Sequence, residues 1–178
     1  MYCQGISHDG DVTGQESALL VLVPAAGPVA GPHRTRLDLS ARDGVPAHLT
    51  VPYPFLPPER IGPEELAALA RLFAAFPASG FTLDRAGWFG DAVAWPGPGD
   101  EAPFRALTGL ASAAYPSCPP CGGAREDVVP HLTTGHLGGP DVLGLPARRL
   151  LRLRRNPCPG RLLPFRPGWR RGRRPLTG

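Results

Sequence analysis

The sequence predicts an α+β fold with two similar halves. Short apolar runs of strand length alternate with segments of helical periodicity over the first 136 residues. A helix followed by a strand containing His-Leu-Thr occurs twice, at residues 48–50 and 131–133. Mixed elements in this order are typical of α+β domains, and 178 residues are enough for one domain or two small lobes.

Four segments are predicted to contain strands. The apolar run SALLVLVP (17–24) ends at a proline, and AHLTVPY (47–53) is rich in β-branched and aromatic residues. Alternating apolar residues on either side of Phe-Gly-Asp predict a two-stranded hairpin over 80–95, and VVPHLTTG (128–135) is the last strand. Pro52 suggests that the second strand ends or bulges there.

Two segments have clear helical periodicity. The helix at 63–76 has Pro63 in its first turn and is stopped by Pro77, and a second helix covers 101–115. A third, weaker helix is expected within 27–45. The expected inward faces comprise Leu66, Leu69, Leu72, Phe73 and Phe76; Phe104, Leu107, Leu110 and Ala111; and Val29, His33 and Leu37.

The ends of the chain differ in character from its middle. Residues 1–16 are polar, lack the pattern of a secretory signal, and are expected to be a disordered leader. No run approaches the roughly 18–20 apolar residues of a membrane span. We therefore expect a cytoplasmic monomer with no membrane partner. Residues 141–178 hold 11 arginines against one acidic residue, whereas residues 1–140 hold 8 arginines against 14 acidic residues.

Cysteine usage does not predict a metal site. Cys118 and Cys121 form a C-x-x-C between prolines and glycines, while Cys3 and Cys158 stand alone. A zinc site would need two more paired ligands, so we expect a loop with two incidental thiols, no metal and no cofactor.

The repeated His-Leu-Thr suggests acid–base chemistry. Residues i and i+2 of a strand share a face, so each histidine and threonine point the same way while the leucine between them enters the core. Two imidazoles can act as base and acid on a phosphodiester, and threonine hydroxyls can donate to its non-bridging oxygens without a metal. The candidate catalytic residues are His48, Thr50, His131 and Thr133.

These motifs resemble those of the two-histidine phosphoesterases, which include bacterial 2′-5′ RNA ligase-like proteins and RNA cyclic phosphodiesterases. HLTVPYPF (48–55) is similar to the first motif and PHLTTG (130–135) to the second, 83 residues apart. The segments 17–24 and 81–95 resemble the first strand and the mid-chain hairpin, so the resemblance covers about 17–136.

The resemblance implies two lobes, each a small antiparallel sheet backed by helices, with a cleft between them. It implies opening of a 2′,3′-cyclic phosphate on an RNA end or nucleotide to a 2′-phosphate, or 2′-5′ ligation as the reverse type of reaction. His48 and His131 would be the acid–base pair, with His131 acting on water and His48 as acid. Thr50 and Thr133 would hold the phosphate.

Several neighbouring residues are candidates for substrate binding. Tyr53 and Phe55 could stack on a base, although Phe55 is also a typical core residue. Trp88, with Phe89, could line the pocket or pack at its rim, and Arg125 could reach a phosphate or lie on the surface. His136, just after the second motif, is expected to be a solvated loop residue.

After residue 136 the chain departs from the family pattern, which continues with a helix and a strand. No strand is predicted beyond 137, and only 145–155 could be helical. The tail is a nucleic-acid-binding arm, a disordered extension or an out-of-frame product, and its composition fits the last best. The second lobe would then be incomplete, which leaves an inactive truncated copy as one alternative. The other alternative is a non-catalytic RNA-binding protein that keeps the cleft and binds through the Arg-rich tail.

Overall fold

The computed structural model describes residues 17–76, 79–90, 93–123, 128–136, 153–158 and 162–164, the last two ranges by their backbone. They form an α+β fold with two three-stranded antiparallel sheets and four helices, consistent with two lobes. The predicted leader, Arg125 and residues 145–152 of the possible helix at 145–155 lie outside the described residues, and residues 153–155 belong to a strand.

The first sheet is centred on the apolar run near the start of the described chain. This strand ends before Pro24, which opens a 3₁₀ turn, and it pairs antiparallel with the first His-Leu-Thr strand so that Leu22 lies opposite His48. Two helices connect these strands. The elements of this half are β1 (Leu19–Leu22), α1 (Gly27–Leu37), α2 (Leu39–Arg42) and β2 (His48–Thr50).

The second sheet contains the predicted hairpin, and Gly87 lies opposite Trp95 in it. The helix before the hairpin starts at Pro63 and has Glu64 and Glu65 in its first turn. Negative side chains there interact favourably with the positive end of the helix dipole. The elements are α3 (Pro63–Ala74), β3 (Ser79–Phe89), β4 (Val93–Pro98) and α4 (Ala102–Ala114). Both helices and the hairpin were predicted from the sequence.

The tail adds one strand to each sheet, so the prediction of no strand beyond residue 137 is wrong. β5 (Leu153–Cys158) pairs with β3, and β6 (Leu162–Pro164) pairs with β1. Both are outer strands of their sheets, with orders β4-β3-β5 and β2-β1-β6. An outer strand tolerates proline because one row of its backbone groups needs no partner, so proline did not prevent pairing.

One hydrophobic core serves both halves. It contains Leu19 of β1, Leu49 of β2, Leu83 of β3 and Leu132 of the second motif. The predicted inward faces are largely correct, but Leu66 of α3 is 43% exposed. In α1 the buried residues are Ala30, Arg34 and Leu37, so the buried face differs from the one expected.

The C-x-x-C pair lies after α4, beside a short 3₁₀ turn at Pro120–Gly123. Cys118 is a buried free thiol, and Cys121 is disulfide-bonded, so the expectation of two incidental thiols is wrong for Cys121. Sequence spacing alone offered no partner for it. The helices of the described chain are each too short or too polar to cross a bilayer.

The two motif leucines should contribute equally to stability. Leu49→Ala and Leu132→Ala should each lower the free energy of unfolding by about 3 kcal/mol, because each leaves a cavity in the shared core. Leu66→Ala, at an exposed position, should change it by less than about 0.5 kcal/mol. Urea unfolding followed by circular dichroism measures all three. Equal losses at the exposed and buried positions would contradict the shared core.

Candidate active site

The two His-Leu-Thr tripeptides lie in matching strand environments. The first is β2, which pairs with β1. The second runs beside β4, where the Leu132 amide donates to Pro96 O and the Thr134 amide to Ala94 O, both at 2.9 Å. Its pairing with β4 is irregular, with one isolated bridge between Ala94 and Gly135. The predicted strand at 128–135 is therefore an extended segment bonded to the second sheet.

Side chains in both tripeptides alternate in the same way. Leu49 is 1% exposed and Leu132 is 0% exposed, while the histidine and threonine of each motif are partly buried. The next residue, Thr134, is buried, and its hydroxyl donates to Ala94 O at 2.8 Å. Thr133, not Thr134, therefore shares a face with His131.

The two imidazoles are held by equivalent hydrogen bonds. The Nδ1 of His48 is 2.7 Å from Pro46 O, and that of His131 is 2.8 Å from Val129 O. A carbonyl oxygen only accepts, so Nδ1 carries the proton in each ring. In the neutral form of each ring, Nε2 then has the unshared electron pair. The Nδ1 bonds thus make Nε2 the nitrogen of each ring that can accept a proton.

Both histidines are less easily protonated than a solvated imidazole. Burial lowers the pKa of His48 to about 4, an effect that the Pro46 carbonyl partly offsets. Burial also lowers the pKa of His131, against the opposing effect of the Val129 carbonyl. Both rings are therefore neutral at pH 7 in the free protein.

The two rings interact electrostatically across the halves of the molecule. After burial, which is the largest cause, smaller effects on the pKa of His48 come from Arg34, which lowers it, Asp38, which raises it, and a protonated His131, which lowers it least. Such effects require proximity. His48 and His131 are therefore close enough that protonation of one ring slightly disfavours protonation of the other.

An aromatic cluster flanks His131. Its ring is 4.7 Å from Phe89 and 6.0 Å from Trp95, centroid to centroid, and these two are 5.2 Å apart. The indole lies close over Gly87 and Gly97, where a Cβ atom would meet it at 2.3 and 3.0 Å. The sequence analysis missed Trp95. The available signal was Gly87, which lies opposite Trp95 in the hairpin, together with Gly97, two residues after it in the same strand.

The predicted substrate-binding residues have different surroundings. Tyr53 is exposed just after β2, and Trp88 is exposed on the face of β3 opposite to Phe89. Phe55 is buried, and its ring meets Tyr115 edge-on at 4.9 Å, which leaves no open face for a base. Arg125 lies outside the described residues. Phe55 therefore packs in the core, while the binding roles of Tyr53 and Trp88 stay predictions.

His136 is not the solvated loop residue that was expected. Its side chain is 14% exposed, and its Nδ1 is 3.2 Å from the buried carboxylate of Asp38. The expectation assumed that the chain makes no further contact after the second motif. The His136 amide in fact donates to Leu37 O at 2.7 Å. The sequence also gave no sign that Asp38 contacts His136 or that Arg34 pairs with Asp38.

No group of three or more His, Cys, Asp or Glu side chains among the described residues is arranged to hold a metal ion. The chemistry available at the two motifs is proton transfer by imidazole and hydrogen bonding by hydroxyls.

An α+β fold with a His-x-Thr tripeptide in extended conformation in each half is consistent with the class of two-histidine phosphoesterase-like proteins. The family model of the 2′-5′ RNA ligase superfamily matches residues 23–162, and the chain belongs to this superfamily. The match reaches past residue 136 into the segment that contains β5. No curated protein and no solved structure matches the chain.

The buried neutral imidazole of His48 should make the protein sensitive to acid. Its folded-state pKa of about 4 lies below the unfolded value of 6.5, so stability is lost as pH falls from about 6.5 to 4. The loss attributable to His48 should approach about 3 kcal/mol. In His48→Asn the amide can still donate to Pro46 O but does not titrate, so this variant should lose correspondingly less.

Urea unfolding of the wild type and His48→Asn at pH 7, 5.5 and 4 measures this difference. Parallel stability curves for the two proteins would show that His48 titrates normally.

Proposed function

We propose that this protein is a phosphodiesterase that opens 2′,3′-cyclic phosphates on RNA ends or nucleotides by histidine acid–base catalysis. The observation that carries the proposal is the equivalence of the two motifs. In each, a carbonyl two residues earlier holds Nδ1, a buried leucine fixes the strand, and Nε2 is left for proton transfer. Membership of the 2′-5′ RNA ligase superfamily supports the same chemistry.

The proposed reaction needs one proton removed and one supplied. Nε2 of neutral His131 takes a proton from water as its oxygen attacks phosphorus. The bond from phosphorus to the 3′ oxygen breaks, and protonated His48 gives its Nε2 proton to that oxygen. The product is a 2′-phosphate with a free 3′ hydroxyl. Ligation at a 2′-5′ linkage would use the same two positions with a ribose hydroxyl as nucleophile.

Substrate binding would prepare His48 for the acid role. Because burial lowers its pKa to about 4, the free protein holds it neutral at pH 7. An anionic phosphate beside the ring favours the protonated form, and a buried imidazolium is a strong proton donor. The bound substrate therefore raises the fraction of His48 that is protonated and able to act as the acid.

The threonines and the aromatic cluster complete the proposed site. Thr50 and Thr133 share a face with their histidines, so we expect their hydroxyls to donate to non-bridging phosphate oxygens, where charge develops. Phe89 and Trp95 beside His131 offer ring surface for a nucleobase, since stacking tolerates any base.

Substitution of either histidine should remove activity. His48→Ala and His131→Ala should each lower kcat for a 2′,3′-cyclic nucleotide by at least about 10³-fold, because each removes one proton-transfer group. His33→Ala, on α1, is the matched control and should keep the wild-type rate. Retention of activity in both motif variants would reject the proposal.

The roles of the two histidines can be separated with an activated substrate. A p-nitrophenyl phosphodiester has a leaving group that needs no proton. His48→Ala should therefore hydrolyse it at a rate near that of the wild type, whereas His131→Ala should not. The reverse pattern would make His131 the acid and His48 the base.

The pH dependence should also be unusual. The pKa of each histidine is lowered in the free protein, so kcat/KM should decline as pH rises through values below 6.5. The decline of kcat should occur at higher pH, because the bound phosphate raises the pKa of the acid. Initial rates from pH 4 to 9 measure both profiles. A kcat/KM that stays constant up to pH 8 would be incompatible with an acid of lowered pKa.

A further inference from the structure

A buried polar network lies at the C-terminal end of α1. Arg34 is 3% exposed and Asp38 is 0% exposed, and Arg34 Nε donates to Asp38 Oδ2 at 2.8 Å. The second carboxylate oxygen, Oδ1, accepts from the amide and the hydroxyl of Ser40 at 3.0 and 2.8 Å. The two oxygens of one carboxylate thus serve different partners.

One arm of this network reaches the approach to the first motif. Arg34 Nη1 donates to Val45 O at 3.1 Å, three residues before His48. The next carbonyl, that of Pro46, accepts the His48 Nδ1 bond. Arg34 therefore holds the segment from which the first imidazole is oriented.

The other arm reaches the end of the second motif. The His136 amide donates to Leu37 O at 2.7 Å, and His136 Nδ1 lies 3.2 Å from Asp38 Oδ1. The Leu37 side chain packs against Ala94, whose carbonyl accepts the Thr134 amide. The end of α1 is thus joined to the strand that carries His131 by polar and apolar contacts.

A buried ion pair contributes little net stability, because the loss of hydration offsets the attraction between the charges. Apolar side chains would pack the same space as well. Directional bonds differ from apolar contacts in that they fix the positions of the groups they join. Here the directional bonds run from Arg34 to Asp38 and Val45 O and from the His136 amide to Leu37 O, and the 3.2 Å contact of the His136 ring with Asp38 Oδ1 adds to them.

We propose that Asp38 and His136 are positioning residues that set the separation of the two His-x-Thr strands. Asp38 ties α1 to the approach to His48 through Arg34, and its Oδ1 meets His136 from the other half. Neither residue takes part in proton transfer. The expected effect on catalysis rests on the proposed function, whereas the expected effect on strand anchoring does not.

The test compares three full-length variants with the wild type. His136→Leu removes the ring nitrogen that meets Asp38, and His136→Asn restores a nitrogen at the same reach from the backbone. Thr35→Ala, at an exposed position on the same helix, is the control. Amide hydrogen exchange reports strand anchoring, and steady-state kinetics on a 2′,3′-cyclic nucleotide report catalysis.

In His136→Leu the amides of Leu132 and Thr134 should exchange at least about tenfold faster, since their strand loses an anchor. The amides of Leu19 and Val51 in the first sheet should exchange as in the wild type. The value of kcat should fall by about 10²-fold, the size of effect expected from a small misplacement of a catalytic group. KM should change by less than about threefold. His136→Asn should recover both properties, and Thr35→Ala should match the wild type.

Unchanged exchange at Leu132 and Thr134, or an equal acceleration throughout the chain, would overturn the proposal. A normal kcat in His136→Leu would overturn it as well. If the wild type does not hydrolyse cyclic phosphates, the proposed function fails and the exchange pattern alone decides the positioning role. If His136→Leu does not fold, Asp38→Asn, which keeps the shape of the side chain, must accelerate exchange at Leu132 and Thr134, whatever its effect on the approach to His48.

Discussion

The burial of Leu49 and Leu132 in one hydrophobic core determines the direction of all four motif side chains. Strand geometry places a residue and its two neighbours on opposite faces, so each leucine directs the flanking histidine and threonine away from the core. A one-residue shift of either strand would bury an imidazole and expose the leucine, which the core opposes. The chemistry of the site thus depends on apolar packing on the opposite side of the strands.

Backbone carbonyls determine the tautomer of each imidazole, and burial determines its protonation state. The carbonyls of Pro46 and Val129 each hold an Nδ1 proton, and burial favours the neutral ring. The free protein therefore has two potential bases and no protonated acid at pH 7. In the proposed reaction the negative charge of the substrate raises the pKa of His48, so that one ring is protonated and the other is neutral.

The sequence predicted the parts that depend on local pattern. The spacing of His48 and Thr50 around a leucine, the hairpin and α3 all follow from strand and helix periods. Parts that depend on contacts between distant segments were missed. Arg34 is buried because Asp38 and the Val45 carbonyl satisfy its guanidinium, which no helical period reveals. The outer strands β5 and β6 pair through backbone groups, so their composition gave no strand signal.

The central claim is that two imidazoles with protonated Nδ1 and available Nε2 face a common site. Nitrogen-15 NMR of the histidine rings at pH 7 tests it directly, since the chemical shifts distinguish the two neutral tautomers. The account predicts the Nδ1–H tautomer for His48 and His131, and a changed His48 titration when His131 is replaced by glutamine. Nε2–H tautomers, or a His48 titration indifferent to that substitution, would contradict it.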